Sequence, residues 1–155
     1  MTAALHPLQD AFWQACERML IHHTNPWELD EALVAWGYEM GPSEAQDLIG
    51  LDVVLEARAG SEPAPILARM VAEGRLGKKY GWGYYRYPGG GGAVIDPLIE
   101  DLIHEESRFA RITREELDGP QLVTRLHDLV GPVLRADPAL SAQMLHIPVA
   151  RLAAV

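Results

Sequence analysis

Apolar residues recur at three- and four-residue intervals through most of this chain. Leu8, Phe12, Ala15, Met19 and Leu20 form one such stripe, which predicts a helix from Pro7 to about Ile21. Asn25-Pro26-Trp27-Glu28 then reads as an N-cap, a proline at the first helical position and a glutamate at the third. A second helix continues through Leu29, Ala32, Leu33 and Trp36 and stops at Gly37. Short helices follow at Ser43 to Ile49, at Val53 to Ala59 with Asp52 as cap, and at Pro65 through Val71 with Gly74 as stop. After a glycine-rich interval the pattern is helical again. Ile95, Leu98, Ile99, Leu102 and Ile103 make a stripe to about Glu106, and Thr113 to Glu116 reads as a capping box. Leu122 to Leu134 is amphipathic with an expected kink at Gly131-Pro132, and Asp137-Pro138 opens a last helix ending near His146. No run of alternating positions of strand type stands out, so the fold class expected is all-α.

Pro88 to Gly92 is the strongest break in the pattern. It divides the chain into a unit over 1–88, a connector over 89–93 and a shorter helical unit over 94–155 that packs on the first. Asn25 to Leu33 echoes Asp137 to Leu145, each a cap, a proline and a short helix after a longer one. That echo is compatible with two degenerate repeats and equally with convergence on good capping.

Composition narrows the function classes. The 155 residues are 48% hydrophobic, enough for one core, and no stretch approaches the ~20 apolar residues of a membrane span. MTAALHPLQDAF has no basic segment ahead of an apolar run, so no signal peptide and a cytoplasmic location are expected. The net charge of −9 argues against nucleic acid and anionic membranes as partners. It is unevenly placed. Arg69 to Tyr87 carries +4 and leaves −13 elsewhere. The centre of that island, Gly74 to Tyr87, reads GRLGKKYGWGYYRY, with glycine hinges and four tyrosines. Either it is a solvated basic loop, or it holds a small anion that the acidic body would otherwise repel.

Other side chains with chemical potential have ordinary readings. His22 and His23 suit a helix C-terminus. His104-Glu105 is no zinc motif, because Arg108 stands where a second histidine would be needed. His6, His127 and His146 have no recognisable companion in sequence. Cys16 lies among apolar residues and reads as buried and inert. Trp13, Trp27 and Trp36 read as core, and Asp47 and Asp52 as turn hydrogen-bonders. No catalytic residue and no metal ligand is assigned.

Three stretches taken together resemble one family: Pro7 to Leu33 with its Asn-Pro-x-x-Leu-Asp-x-Ala-Leu close, Gly37 to Asp52 with Met40-Gly41-Pro42 and Asp47, and the loop Gly74 to Tyr87. Their order and spacing are similar to the C-terminal helical domain of 3-hydroxyacyl-CoA dehydrogenases. Residues 94 to 148 look like a shortened second copy, as in the multifunctional β-oxidation proteins. The resemblance implies a helical bundle that dimerises and closes over an acyl-CoA held against a separate NAD-binding Rossmann domain. It makes Arg75, Lys78 and Lys79 candidates for the coenzyme A phosphates, Met40 and Pro42 candidates for an acyl pocket, and Trp82 and Tyr84 candidates for stacking on adenine.

The resemblance also has gaps. No Gly-x-Gly-x-x-Gly within a βαβ unit occurs in these residues, so NAD is expected only through a partner Rossmann subunit. The family's catalytic asparagine aligns with Thr2. Two roles therefore remain open: the helical subunit of a split L-3-hydroxyacyl-CoA dehydrogenase in fatty-acid β-oxidation, or a catalytically inactive acyl-CoA-binding or dimerisation module.

Overall fold

The computed structural model describes residues 5–155, so Thr2 lies outside the described residues. The helices are α1 (Pro7–His22), α2 (Pro26–Trp36), α3 (Pro42–Ile49), α4 (Leu51–Ala57), α5 (Pro65–Ala72), α6 (Leu98–Phe109), α7 (Gly119–Ala136) and α8 (Pro138–Leu145). Short 3-10 turns lie at Lys78–Tyr80, Pro88–Gly90 and Val149–Ala154. No strand forms among the described residues; the loop between α5 and α6 has isolated antiparallel bridges only. The all-α expectation holds.

Local chemistry sets most of the helix ends. Asn25 accepts the Glu28 amide at 2.9 Å ahead of Pro26, as the sequence predicts. His6 does the same for α1, accepting from the Leu8 amide at 3.1 Å. Two starts differ from expectation. α4 begins at Leu51, with Gly50 at φ 110° as its cap, so Asp52 sits inside the first turn. The capping box belongs to Asp118 and Gln121, not to Thr113–Glu116. The latter segment is held out of helix by tertiary bonds. Glu115 donates its amide to the His22 carbonyl at 2.9 Å, and Arg114 donates to the carbonyls of Leu20, Ile21 and Thr24 at 2.7, 3.1 and 3.0 Å.

α1 is the central helix and packs on α5, α6 and α7. Met19, Leu20, Leu29, Leu33, Leu51, Ile66, Met70, Ile99, Ile103 and Leu126 are buried in one continuous core. The glycine-rich segment between the halves is closed by a reciprocal pair of amide bonds between Arg86 and Val94, at 2.9 and 2.8 Å. Across that closure, Arg75 pairs with Asp96 at 2.9 Å and Asn25 donates to Glu100 at 2.8 Å.

Buried carboxylates cap helices from a distance. Glu17, in the middle of α1, accepts the first amides of α5 from Ile66 and Leu67 at 2.9 and 3.2 Å. Asp30 of α2 accepts those of α3 from Ser43 and Glu44 at 2.9 and 3.0 Å. Each satisfies donors that a helix N-terminus leaves without an internal partner.

Candidate functional site

The basic loop is anchored by one aspartate. Asp47 of α3 accepts the amides of Tyr84 and Tyr85 at 2.8 and 3.0 Å and the Tyr87 hydroxyl at 2.7 Å. Burial lifts its carboxyl to about 6 against the pull of those donors. The loop must pass very close to α3 to reach this carboxylate. A Cβ at Gly83 would collide with Asp47 Oδ1, and one at Gly77, where φ is 110°, would collide with the Asp47 carbonyl. Asp47 is thus not a local turn-former but the pin of the whole segment.

This anchoring sorts the aromatic residues. Tyr84, Tyr85 and Tyr87 are buried, so Tyr84 has no face to offer an adenine ring. Tyr80 and Trp82 stand out at 65% and 42% exposure. One face of Trp82 is covered by the Arg75 guanidinium, 4.6 Å from the ring centroid.

The cations are sorted too. Arg75 is buried, its guanidinium bound to Asp96 and to the Gly83 carbonyl, so it stabilises the loop from inside and does not face a ligand. Lys79 is partly exposed and pairs with Asp52 at 2.7 Å, which holds the Asp52 carboxyl below its ordinary value. Lys78 is exposed, with its ammonium 5.9 Å from the Tyr87 ring centroid. Arg86, which the sequence reading did not single out, is exposed on the strand-like turn bridged to Trp82. The outward positive edge is therefore Lys78, Lys79 and Arg86.

Met40 and Pro42 do line an apolar cavity, with Phe12, Trp13, Ile49 and Met144. It measures about 40 Å³ and is closed by α8 residues, which leaves room for a few waters and not for an acyl chain. No group of three or more His, Cys, Asp or Glu side chains that could hold a metal occurs among the described residues.

One constellation escaped the sequence. His127 of α7 lies against Tyr38, with Nε2 and the hydroxyl 3.0 Å apart, although 89 residues separate them. Burial lowers the imidazole to about 4 and raises the Tyr38 phenol. No local signal marks such a pair, since the histidine occupies an ordinary core position of an amphipathic helix.

Residues 7–87 match the model of the 3-hydroxyacyl-CoA dehydrogenase C-terminal domain. This chain belongs to that family. Over 125 residues it is 31% identical to a peroxisomal bifunctional enzyme of Danio rerio, a match that spans 64% of this chain and 17% of that protein. Over 93 residues it is 32% identical to a peroxisomal fatty acid beta-oxidation multifunctional protein of Oryza sativa subsp. japonica, spanning 55% of this chain and 13% of that one. The chain thus corresponds to less than a fifth of the length of either relative. Its fold is similar to the dehydrogenase part of multifunctional enzyme 1 from C. elegans, with a TM-score of 0.68 at 20% identity over 89% of this chain and 32% of that one. Among the described residues, no helix is long and apolar enough to cross a membrane.

Proposed function

We propose that this chain is the helical half of an L-3-hydroxyacyl-CoA dehydrogenase of fatty-acid β-oxidation, completed by a dinucleotide-binding domain supplied on a separate subunit. Family membership over residues 7–87, together with a loop pinned so that Lys78 and Lys79 face outward, is the observation that carries this reading. Lys78, Lys79 and Arg86 receive the phosphates of an acyl-CoA, and Arg75 shapes the loop that presents them. NAD resides on the partner, whose own residues perform the hydride transfer. The complex works in the cytoplasm, although the two relatives carry peroxisomal names.

The test is reconstitution. A 3-hydroxyacyl-CoA dehydrogenase trimmed of its helical domain is mixed with this chain, and NADH consumption with acetoacetyl-CoA is followed. Restored turnover supports the split enzyme, and absence of both binding and turnover refutes it.

A second reading has its own support. The cavity at Met40 and Pro42 is too small for an acyl chain, and two of the three cations named from sequence are paired within the fold. Those facts favour a catalytically inactive module that binds acyl-CoA only through its carrier end, or that serves dimerisation alone. Calorimetry with an acyl-CoA, alongside the size of the purified protein in solution, separates these roles.

A further inference from the structure

A cleft lies away from the basic loop. It has a volume of about 750 Å³ and runs between α2 and α7, with Ala154 and Val155 at its edge. That is within the range of small-molecule sites, which are mostly apolar with a few convergent polar groups. Ala35, Trp36, Val123 and Pro132 supply apolar wall, and His127 and Asp128 lie among them.

The Trp36 ring is fixed from two directions. The Arg151 guanidinium covers it 4.5 Å from the centroid, and the His127 ring meets it edge-on at 4.5 Å. These two contacts hold the Trp36 ring in one orientation on the wall.

His127 presents a defined hydrogen-bonding edge. The Tyr38 hydroxyl is buried and has only His127 Nε2 as partner among the described residues. If Nε2 carried the proton, the phenolic O–H would be left buried without an acceptor, an arrangement that folded proteins avoid. The hydroxyl therefore donates to Nε2, and the imidazole proton resides on Nδ1. Nδ1 has no hydrogen-bond partner among the described residues, and it is not among their polar atoms sealed from solvent. His127 thus offers one N–H donor on the cleft side.

The same stretch of α7 lacks one backbone hydrogen bond. Pro132 sits inside α7 and has no N–H to return to the carbonyl of Asp128, four residues earlier. Both residues line the cleft. The two charged side chains at the rim, Asp128 and Arg135, oppose each other, and Arg135 already donates to the Val155 main-chain oxygen at 2.7 Å. A net charge on the occupant is not matched.

We propose that the α2–α7 cleft binds a small uncharged carboxamide with an apolar body. The carbonyl accepts from His127 Nδ1, the amide N–H donates to the Asp128 main-chain oxygen, and the body packs on Trp36, Val123 and Pro132. This is independent of the acyl-CoA reading, since it shares no residue with the basic loop.

The test uses three probes of one skeleton: 3-phenylpropanamide, 4-phenylbutan-2-one and 3-phenylpropanoate. Each is titrated into the full chain while the Trp36 indole and His127 imidazole resonances are followed. The amide should shift both saturably, with a dissociation constant of about a millimolar. The ketone should bind more weakly and the carboxylate most weakly. Ala35→Trp fills the cleft from an exposed α2 position and should abolish the shifts. The pair Tyr38→Phe with His127→Phe leaves no orphaned hydroxyl and should weaken the amide about fivefold with the fold retained. The proposal is overturned if the amide gives no saturable shift at these residues. It is equally overturned if the carboxylate binds as tightly, if Ala35→Trp binds unchanged, or if the His127 proton is found on Nε2.

Discussion

The Tyr85 hydroxyl donates to Asp30 at 2.8 Å, and the same carboxylate holds the first amides of α3. A residue of the basic loop thus shares one buried acceptor with the start of a helix far from it in sequence. With Asp47 taking the neighbouring tyrosines, the loop and α3 are locked to each other at both ends.

Removing Asp47 should therefore unfold the loop rather than merely loosen it. Asp47→Ala leaves the Tyr84 and Tyr85 amides and the Tyr87 hydroxyl without their acceptor. Each orphaned donor costs about 1–3 kcal/mol, so a loss of ~3 kcal/mol or more is expected in urea unfolding. Gly83→Ala should act in the same direction, because its methyl would occupy the place of the Asp47 carboxylate.

Arg75 and Lys78 should separate by experiment. Arg75→Met breaks a buried pair and strands Asp96, which costs about 3–5 kcal/mol. Where the variant still folds, its acyl-CoA affinity should match the parent. Lys78→Ala should leave the melting temperature unchanged and weaken acyl-CoA binding about tenfold at low salt, with the difference shrinking as salt is added. Unchanged affinity in Lys78→Ala with Lys79→Ala would remove the phosphate role of the loop.

The buried carboxyls give stability a definite pH slope. Burial raises Glu17 and Asp30 to about 7 and Asp47 to about 6, all above their unfolded values. The native state then binds more protons than the unfolded chain between those values. Stability from these groups is present at low pH and is lost as pH rises through about 6 to 7. Melting temperatures should climb from pH 8 toward pH 6, and Glu17→Gln should flatten the climb.

His127 works in the opposite sense. Its pKa of about 4 lies below the ordinary 6.5, so the native state resists a proton that the unfolded chain accepts. Its contribution is intact above 6.5 and declines as pH falls toward 4. In the Tyr38→Phe, His127→Phe protein the acid limb of the melting curve should move to lower pH.

What could be read from the sequence follows interaction range. The helices around Leu8–Leu20 and Pro26–Trp36 were legible because stripe, proline and Asn25 cap all lie within a few residues. The role of Glu17 was not, because a glutamate in mid-helix looks solvent-facing until α5 arrives to be capped, about fifty positions on. The capping box was misplaced for the same reason: Thr113–Glu116 has the right letters, but its backbone and Arg114 are claimed by α1. At the candidate site, charge pattern marked the basic loop but could not tell the outward Lys78 from the inward Arg75. That distinction depends on Asp96, across the glycine-rich segment.

The end of α1 has a consequence for any attempt to isolate the family-matched portion. The carbonyls of Leu20, Ile21 and His22 are all terminated by Arg114, Ser107 and Glu115. A protein cut after Gly92 would present those oxygens, and the flank of Met19 and Leu20, to bulk water. Residues 7–87 are thus a recognisable inheritance whose first helix is finished by residues beyond them: the downstream helices supply the seal that this stretch does not carry itself.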